Sequence, residues 1–207
     1  MRQVRKPNRL VGRPFLWMMN WTHSRLTTWG LNHIAIAKEF TILDVGCGGG
    51  ATVERLATMA TDGHVSGVDY AEGSVAVSRR KNARLIAAGR VDIQKASVSQ
   101  LPFPDQAFDL VTAIETHYYW PDIANDMREI RRVLKPGGAL VVVAESYRGS
   151  RFDVLQHALM KSLGSNELSI EGHRTVFASA GYSEVQMFED RKKGWVCGVG
   201  RVSATGA

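Results

Sequence analysis

The chain has 207 residues, of which 44% are apolar and 22% are charged, a composition typical of a globular domain. Its two cysteines, Cys47 and Cys197, are too few and too far apart for a disulfide framework or a CxxC zinc site. No apolar run reaches the roughly 18 residues that suggest a membrane helix. We therefore expect a soluble, cytoplasmic protein with no metal site and no transmembrane segment.

The net charge of +6 permits an anionic partner without requiring one. Basic residues cluster on predicted helix faces and turns, for example at Arg79–Lys81 and Arg191–Lys193, and no aromatic residues are interleaved with them. A surface for single-stranded nucleic acid would combine both residue types. The sequence therefore favours a small-molecule partner over nucleic acid, and it leaves the oligomeric state open.

From residue 41 onward, strand patterns alternate with helix patterns, which predicts a mostly parallel sheet with helices on both faces. The predicted strands are Thr41–Gly46, His64–Asp69, Val91–Ser97, Phe108–Glu115 and Ala139–Glu145. The predicted helices are Ala51–Ala60, Gly73–Ala88 and Pro121–Lys135, and the last has proline as its first residue and stops at Pro136–Gly138.

The two ends of the chain extend this core. Toward the C-terminus we predict helices at Arg151–Leu163 and Glu171–Ala180, then strands Glu184–Phe188 and Trp195–Val199 as a hairpin that adds one antiparallel strand. The first forty residues carry apolar helical patterns at Phe15–Trp21 and Ser24–Lys38, interpreted as a cap over the carboxyl edge of the sheet. The expected fold is a Rossmann-like α/β domain over 1–207 with seven strands, divided into a cap or lid at 1–39, a ligand-binding core at 40–146 and a C-terminal part at 147–207.

The strongest functional signal is the run Asp44-Val-Gly-Cys-Gly-Gly-Gly50, where an apolar strand leads into a turn rich in glycine. Glycine is needed where the backbone takes a positive φ or where a ligand approaches it closely. In open α/β sheets, ligands bind at this edge, where the strand order reverses. The run is neither a clean G-x-G-x-x-G dinucleotide fingerprint nor a P-loop, since no Gly-Lys-Ser/Thr follows.

A second acidic residue, Asp69, ends the next predicted strand about twenty residues later. A carboxylate at that place can accept hydrogen bonds from both hydroxyls of a ribose. The alternative is that Asp69 only caps the following helix.

Five segments in order resemble the signature of class I S-adenosylmethionine-dependent methyltransferases, in particular the small-molecule branch that includes the quinone-ring methyltransferases. They are Asp44–Gly50, Val68–Tyr70, Leu101–Phe103, Phe108–Val111 and Glu129–Gly138. The resemblance covers about residues 40–146. It implies transfer of a methyl group from S-adenosyl-L-methionine to a small molecule, with S-adenosyl-L-homocysteine as the product.

Residue by residue, the resemblance implies that Asp44, Gly46, Cys47 and Gly48 line the methionine part of the cofactor. Asp69 would hold the ribose and Tyr70 would pack beside the adenine. Ser97 and Val98 would frame the adenine ring, with serine where the family often has an aspartate. Ile114 and Glu115 would lie near the sulfonium.

The donor is already activated, so the protein must chiefly align the acceptor, and alignment can contribute roughly 7–11 kcal/mol. The segment Glu115-Thr-His-Tyr-Tyr-Trp120 follows the fourth strand and should face the acceptor; its aromatic rings suggest a flat, apolar or cationic acceptor. The candidate catalytic residues are His117 as a general base, Glu115 and Tyr118. Tyr119 and Trp120, with Asn20, Trp21 and His23 of the cap, are candidate acceptor-binding or lid residues. His117 could equally have only a packing role.

The sequence leaves two other functions open: methylation of nucleic acid through the basic faces, and a cofactor-binding protein without catalytic activity.

Overall fold

A computed structural model of the chain describes residues 24–145, 147 and 167–204. The first helix, α1, spans 24–31. The other helices are α2 Ala51–Met59, α3 Glu72–Lys81, α4 Ala83–Ala87, α5 Ile123–Val133 and α6 Ile170–Ser179, with a 3-10 turn at His117–Tyr119. The strands are β1 Thr41–Val45, β2 His64–Asp69, β3 Val91–Lys95, β4 Phe108–Ile114, β5 Leu134–Ala144, β6 Ser183–Asp190 and β7 Trp195–Arg201. The predicted helices at Phe15–Trp21 and Arg151–Leu163 lie outside the described residues.

All seven strands form one sheet in the order β3-β2-β1-β4-β5-β7-β6. Strands β1 to β5 pair in parallel, and β7 runs antiparallel to both β5 and β6. The predicted fold class is therefore confirmed, including the single antiparallel strand and the C-terminal hairpin. The strand order reverses beside β1, which is the place where ligands bind in open α/β sheets.

Helices cover both faces of the sheet. On one face, α1, α2 and α3 contribute buried side chains such as Leu26, Leu56 and Val75. On the other face, α5 and α6 contribute side chains such as Ile130 and Phe177. Full burial of one such side chain contributes about 1.5–3 kcal/mol, so the central strands are held from both sides.

Three predicted helices differ from the structure in their bounds. The helix expected over Ser24–Lys38 ends at residue 31. The helix expected over Gly73–Ala88 is interrupted at Asn82, which separates α3 from α4. Pro121 is not the first residue of α5; Asp122 caps that helix by accepting a hydrogen bond from the backbone N–H of Asn125 at 3.1 Å, and the helix begins at Ile123. A good side-chain cap here outweighs the preference of proline for the first helical position.

The described part of the N-terminal cap, α1, packs on a sheet face instead of lying over the carboxyl edge. Its Gly30 sits so close to β5 that an added Cβ would lie 2.4 Å from Val143 Cγ2. The thiol of Cys197 on β7 also donates a hydrogen bond to the carbonyl oxygen of Gly30, at 3.7 Å. Only the beginning of α1 reaches the carboxyl edge, and the predicted lid residues Asn20, Trp21 and His23 lie outside the described residues.

Candidate cofactor site

The glycine-rich turn between β1 and α2 is fixed against the end of β2 by its backbone. The N–H groups of Gly46 and Cys47 both donate to the carbonyl oxygen of Val68, at 2.8 and 2.9 Å. The N–H of Gly48 donates to Oδ2 of Asp69 at 3.0 Å. The turn therefore has a defined shape before any ligand binds.

Three glycines of this turn adopt a positive φ, but their neighbours differ. A Cβ on Gly46 (φ 71°) would lie 2.1 Å from Oγ1 of Thr116, and a Cβ on Gly50 (φ 79°) would lie 2.3 Å from Oγ of Ser78. At Gly48 (φ 51°), the nearest atom to such a Cβ is 3.9 Å away. Only Gly48 thus leaves open space above the backbone, so the close approach of a ligand is expected there.

Asn82 supports this turn, a role that the sequence did not indicate. Its buried side-chain amide donates to the carbonyl oxygens of Gly50 and Ser78, both at 3.0 Å. The break between α3 and α4 therefore places a hydrogen-bond donor under the turn. The buried thiol of Cys47 points into the same region, 3.9 Å from Oγ of Ser78, and its pKa is raised by burial and by the nearby Asp44 and Asp69.

A cavity of about 480 Å³ opens beside the turn. It is lined by the end of β1, the turn, one side of α2, the end of β4 and the start of α1. The lining residues are Ser24, Thr27, Asp44, Gly46, Cys47, Gly48, Gly49, Ala51, Thr52, Glu54, Arg55, Thr58, Ile114 and Glu115. Among these, three side chains are acidic and one is basic, so the lining is predominantly acidic.

Asp44 ends β1 at the floor of this cavity and is 2% exposed. The hydroxyl of Thr112 donates to its Oδ1 at 2.7 Å. Burial raises the pKa of Asp44 to about 7, and the negative charge of Asp69 adds to the increase. A buried carboxyl of this kind is poorly compensated and favours the arrival of a cation.

Glu115 lies one residue beyond β4 and has a positive φ of 57°, which is unusual for a residue with a side chain. Its Oε1 accepts hydrogen bonds from the hydroxyl of Tyr118 at 3.1 Å and from the backbone N–H of Glu145 at 2.5 Å. Burial raises the pKa of Glu115 to about 8, and repulsion from Glu145 contributes to this. The cavity thus has a second carboxyl group that lacks a cationic partner among the described residues.

The predicted ribose and adenine residues lie beside the cavity and are not part of its lining. Both carboxylate oxygens of Asp69 accept backbone hydrogen bonds, from Gly48 and from Ala71 at 2.8 Å, and each oxygen keeps a second lone pair. Burial raises the pKa of Asp69. Tyr70 is 45% exposed and Ser97 is exposed, while Val98 is buried.

The structure does not bring His117 to the cavity. The 3-10 turn directs His117 into a small apolar pocket formed by α5, α6 and β5, where it is 1% exposed. Its Nε2 lies 3.2 Å from Nε2 of His173, whose Nδ1 lies 2.9 Å from the carbonyl oxygen of Ser169. Burial lowers the pKa of both histidines.

The proton positions in this histidine pair follow from the acceptor at one end. A carbonyl oxygen only accepts, so Nδ1 of His173 carries the proton and its Nε2 is the acceptor for Nε2–H of His117. Nδ1 of His117 is then a bare acceptor, and it has no partner among the described residues. The geometry is that of a buried link between the 3-10 turn and α6.

The other aromatic residues of this segment also turn inward. Tyr118 is 1% exposed and packs with Ala144 and Val196, and Trp120 is 5% exposed in the core beneath α5. Tyr119 is half-buried beside them. Of the predicted acceptor segment, only Glu115 lines the cavity, together with Ile114 before it.

The sequence did not single out the polar side chains that form the far wall of the cavity. Arg55 of α2 donates to the carbonyl oxygen of Ser24 at 3.2 Å and to its hydroxyl at 2.9 Å, and it also contacts the hydroxyl of Thr28. These bonds join α2 to the start of α1. The only available signal was the polar face of α2, which is also typical of a solvated helix.

Comparisons with known proteins match part of this chain to methyltransferases. Residues 43–142 match the family described as methyltransferase domain. Demethylmenaquinone methyltransferase of Symbiobacterium thermophilum is 41% identical over 112 residues, 54% of this chain and 45% of that protein. The 27-O-demethylrifamycin SV methyltransferase of Amycolatopsis mediterranei is 37% identical over 101 residues, 49% of this chain and 37% of that protein. The chain therefore spans less than half the length of these relatives.

A solved structure of an S-adenosylmethionine-dependent methyltransferase from Aquifex aeolicus has a TM-score of 0.74 at 19% identity, covering 91% of this chain and 97% of that one. At this identity the match supports the fold. The family match identifies residues 43–142 as a methyltransferase domain, in agreement with the family that the sequence resembles.

Within the described residues, no three His, Cys, Asp or Glu side chains are grouped so that they could hold a metal ion. In the same part of the chain, no helix has the length and apolar character needed to cross a membrane.

Proposed function

We propose that the chain transfers a methyl group from S-adenosyl-L-methionine to a small, apolar or aromatic acceptor in the cytoplasm. The observation that carries this proposal is the pairing of an open backbone at Gly48 with two buried carboxyls, Asp44 and Glu115, in one cavity. The cofactor is a cation with a sulfonium and an ammonium group, so a cavity whose described lining is predominantly acidic suits it.

The proposed residue roles follow from this fit. Asp44 and the backbone of Gly46, Cys47 and Gly48 would hold the amino acid part of the cofactor. Asp69 has spare lone pairs for the ribose hydroxyls, and Tyr70, Ser97 and Val98 remain the proposed adenine-side residues. Ile114 and Glu115 would border the reacting end. When bound, the cofactor supplies an activated methyl group, and the protein has to orient the acceptor and exclude water.

The acceptor class rests on the relatives, whose names state that they act on demethylmenaquinone and on a rifamycin. These names support a small-molecule, largely apolar acceptor for this chain too. Asn20, Trp21, His23 and Tyr119 remain the proposed acceptor-side residues. His117 and Trp120 are better explained as packing residues, because both are buried away from the cavity.

The test is to incubate the protein with cofactor carrying a labelled methyl group and a fractionated metabolite extract. We expect label to enter a small apolar product, and we expect Asp69→Ala to abolish the transfer because the Gly48 turn and the ribose contact are both lost. A matched control is Asp92→Ala, an acid on β3 whose partners are His64 and Ser66 and not the Gly48 turn. Label found only in RNA, or in no fraction, would contradict the proposal.

A further inference from the structure

The carboxyl of Glu115 is arranged differently from the other acids around the cavity. Both of its recorded hydrogen bonds go to Oε1, from Tyr118 and from the backbone of Glu145. Oε2 accepts no hydrogen bond from the described residues, although Glu115 lines the cavity. One oxygen is thus held in place by the protein while the other is left for whatever enters the cavity.

The groups that face Glu115 leave its charge uncompensated. Glu145 at the end of β5 repels it, Tyr118 in the 3-10 turn donates a neutral hydrogen bond, and Asp44 lies in the same cavity. On α2, Glu54 pairs with Lys81 at 2.8 Å, and Arg55 is engaged by Ser24 and Thr28. The described residues of the lining therefore supply no unengaged cation to Glu115.

The backbone of Glu115 shows that this placement is imposed by the fold. Holding a residue with a side chain in the left-handed region costs on the order of 1–3 kcal/mol of folding free energy. The conformation persists only where the surrounding structure fixes it. Here the N–H of Glu115 still donates to the carbonyl oxygen of Val143 at 2.9 Å, and the neighbouring Thr116 packs against Gly46. The conformation holds the carboxyl at the joint between the glycine turn and β4.

We propose that Glu115 is a proton switch that is ionised beside the cationic cofactor and protonated beside its neutral product. This inference rests on the proposed function. An opposite charge within about 4–6 Å lowers the pKa of a carboxyl by about 1–3. Burial holds the pKa of Glu115 near 8 in the free protein, so the arrival of a cation would shift the group from mostly neutral to mostly ionised at neutral pH.

The same carboxylate can accept the proton that the acceptor loses on methylation. When an acceptor X–H is methylated, the new X–C bond uses an electron pair of X, the electrons of the broken C–S bond stay on sulfur, and the proton of X–H must leave. The ionised carboxylate of Glu115 takes that proton as the positive charge beside it disappears. Atoms and charge then balance without another base, which agrees with the placement of His117 outside the cavity.

The experiment is calorimetric titration of the whole chain with S-adenosyl-L-methionine and with S-adenosyl-L-homocysteine at pH 7.5, in buffers of different ionisation enthalpy. The dependence of the heat on the buffer counts the protons released. We expect wild-type protein to release about half a proton to one proton more with the cationic ligand, as linkage requires for a group that ionises on binding. In Glu115→Gln, this difference should fall by about half a proton or more, and the preference for the cationic ligand should fall about tenfold.

Two variants make the result specific. Glu54→Gln removes a cavity carboxyl that is already paired, and Tyr118→Phe removes a hydrogen bond but keeps the carboxyl; both should retain the proton difference. The α-amino group of each ligand titrates in a similar range, but it contributes alike to wild type, Glu115→Gln, Glu54→Gln and Tyr118→Phe, in all of which Asp44 is intact. Glu115→Gln keeps an acceptor oxygen for Tyr118 and Glu145, and thermal unfolding of that variant verifies its fold.

The titrations distinguish failure of the proton switch from failure of cofactor binding. An equal proton release with both ligands in wild-type protein would overturn the switch, even if both bind. A difference that survives in Glu115→Gln but vanishes in Asp44→Asn would also overturn it and place the titrating group at Asp44. Failure of both ligands to bind would instead refute the proposed function itself, and the switch with it.

Discussion

At the scale of single residues, Gly46 and Gly48 have the same left-handed backbone but different surroundings. Gly46 is closed by Thr116, whereas Gly48 is open to the cavity. The sequence predicted the turn and its glycines, because an apolar strand, a glycine run and a helix pattern follow one another. It could not tell which glycine faces the ligand, since that depends on a residue seventy positions away, in the segment after β4.

These two glycines lead to a paired prediction. Gly48→Ala should cost about 1–2 kcal/mol of folding free energy for the left-handed conformation, and it should weaken cofactor binding at least tenfold because a methyl group enters the open approach. Gly46→Ala should lose more stability, because its methyl group meets Thr116. Denaturant unfolding and calorimetry separate the two effects. Cofactor affinity that stays normal in Gly48→Ala would show that the ligand does not approach the turn at that point.

At the scale of elements, the 3-10 turn after β4 explains why the acceptor segment departs from expectation. Residues 117–120 read as an exposed aromatic loop in the sequence, but the turn buries three of the four side chains. His117 then links to His173 on α6. A partner 56 residues away, beyond a segment outside the described residues, leaves no local signal in the sequence.

The histidine link should contribute to stability more than to cofactor binding. His117→Phe removes a buried hydrogen bond and leaves Nε2 of His173 without a donor, which should cost about 1–3 kcal/mol. Cofactor affinity should change by less than about twofold. Urea unfolding and calorimetry measure the two quantities. A large loss of cofactor affinity or turnover at unchanged stability would return His117 to the catalytic role that the sequence suggested.

The link also has a defined pH dependence. Burial lowers the pKa of both histidines in the folded state, so the unfolded chain binds more protons once the pH falls below about 6.5. The stability from this pair is complete above that pH and is lost as the pH falls.

At the scale of the whole molecule, the buried carboxyls have the opposite dependence. The pKa values of Asp44 and Glu115 are raised to about 7 and about 8 in the folded protein, so folded molecules hold these protons at a pH where unfolded chains have released them. Stability from this source is present at low pH and is lost as the pH rises through 7 and 8. Below about pH 6.5 the histidine and carboxyl contributions change in opposite directions and largely offset each other, so the free protein should lose stability steadily only above that pH.

A measurement between pH 6.5 and 8.5 isolates the carboxyls, because the histidine contribution is constant there. We expect the free energy of unfolding of the free protein to fall by about 2–3 kcal/mol over this range. Glu115→Gln should show less than half of that fall. Urea titrations at several pH values give the slope, and a flat profile in wild-type protein would show that these carboxyls are not held protonated.

The sheet as a whole was the most predictable level of the structure. Periodicity and glycine positions gave the strands, the hairpin and the edge where the cavity lies, because each depends on local patterns. The position of α1 was not predictable in this way. An apolar helix is equally compatible with an edge or a face, and only the close approach of Gly30 to Val143 places it on the face.

The central claim is that the cavity beside the Gly48 turn binds S-adenosyl-L-methionine, and thermal unfolding with and without this ligand tests it most directly. At 100 times the dissociation constant, binding to the folded state adds about 2.7 kcal/mol, which corresponds to a rise of about 5–10 °C in the unfolding midpoint for a domain of this size. We predict that rise for wild-type protein and its loss in Asp69→Ala. An unchanged midpoint at millimolar ligand would contradict the account.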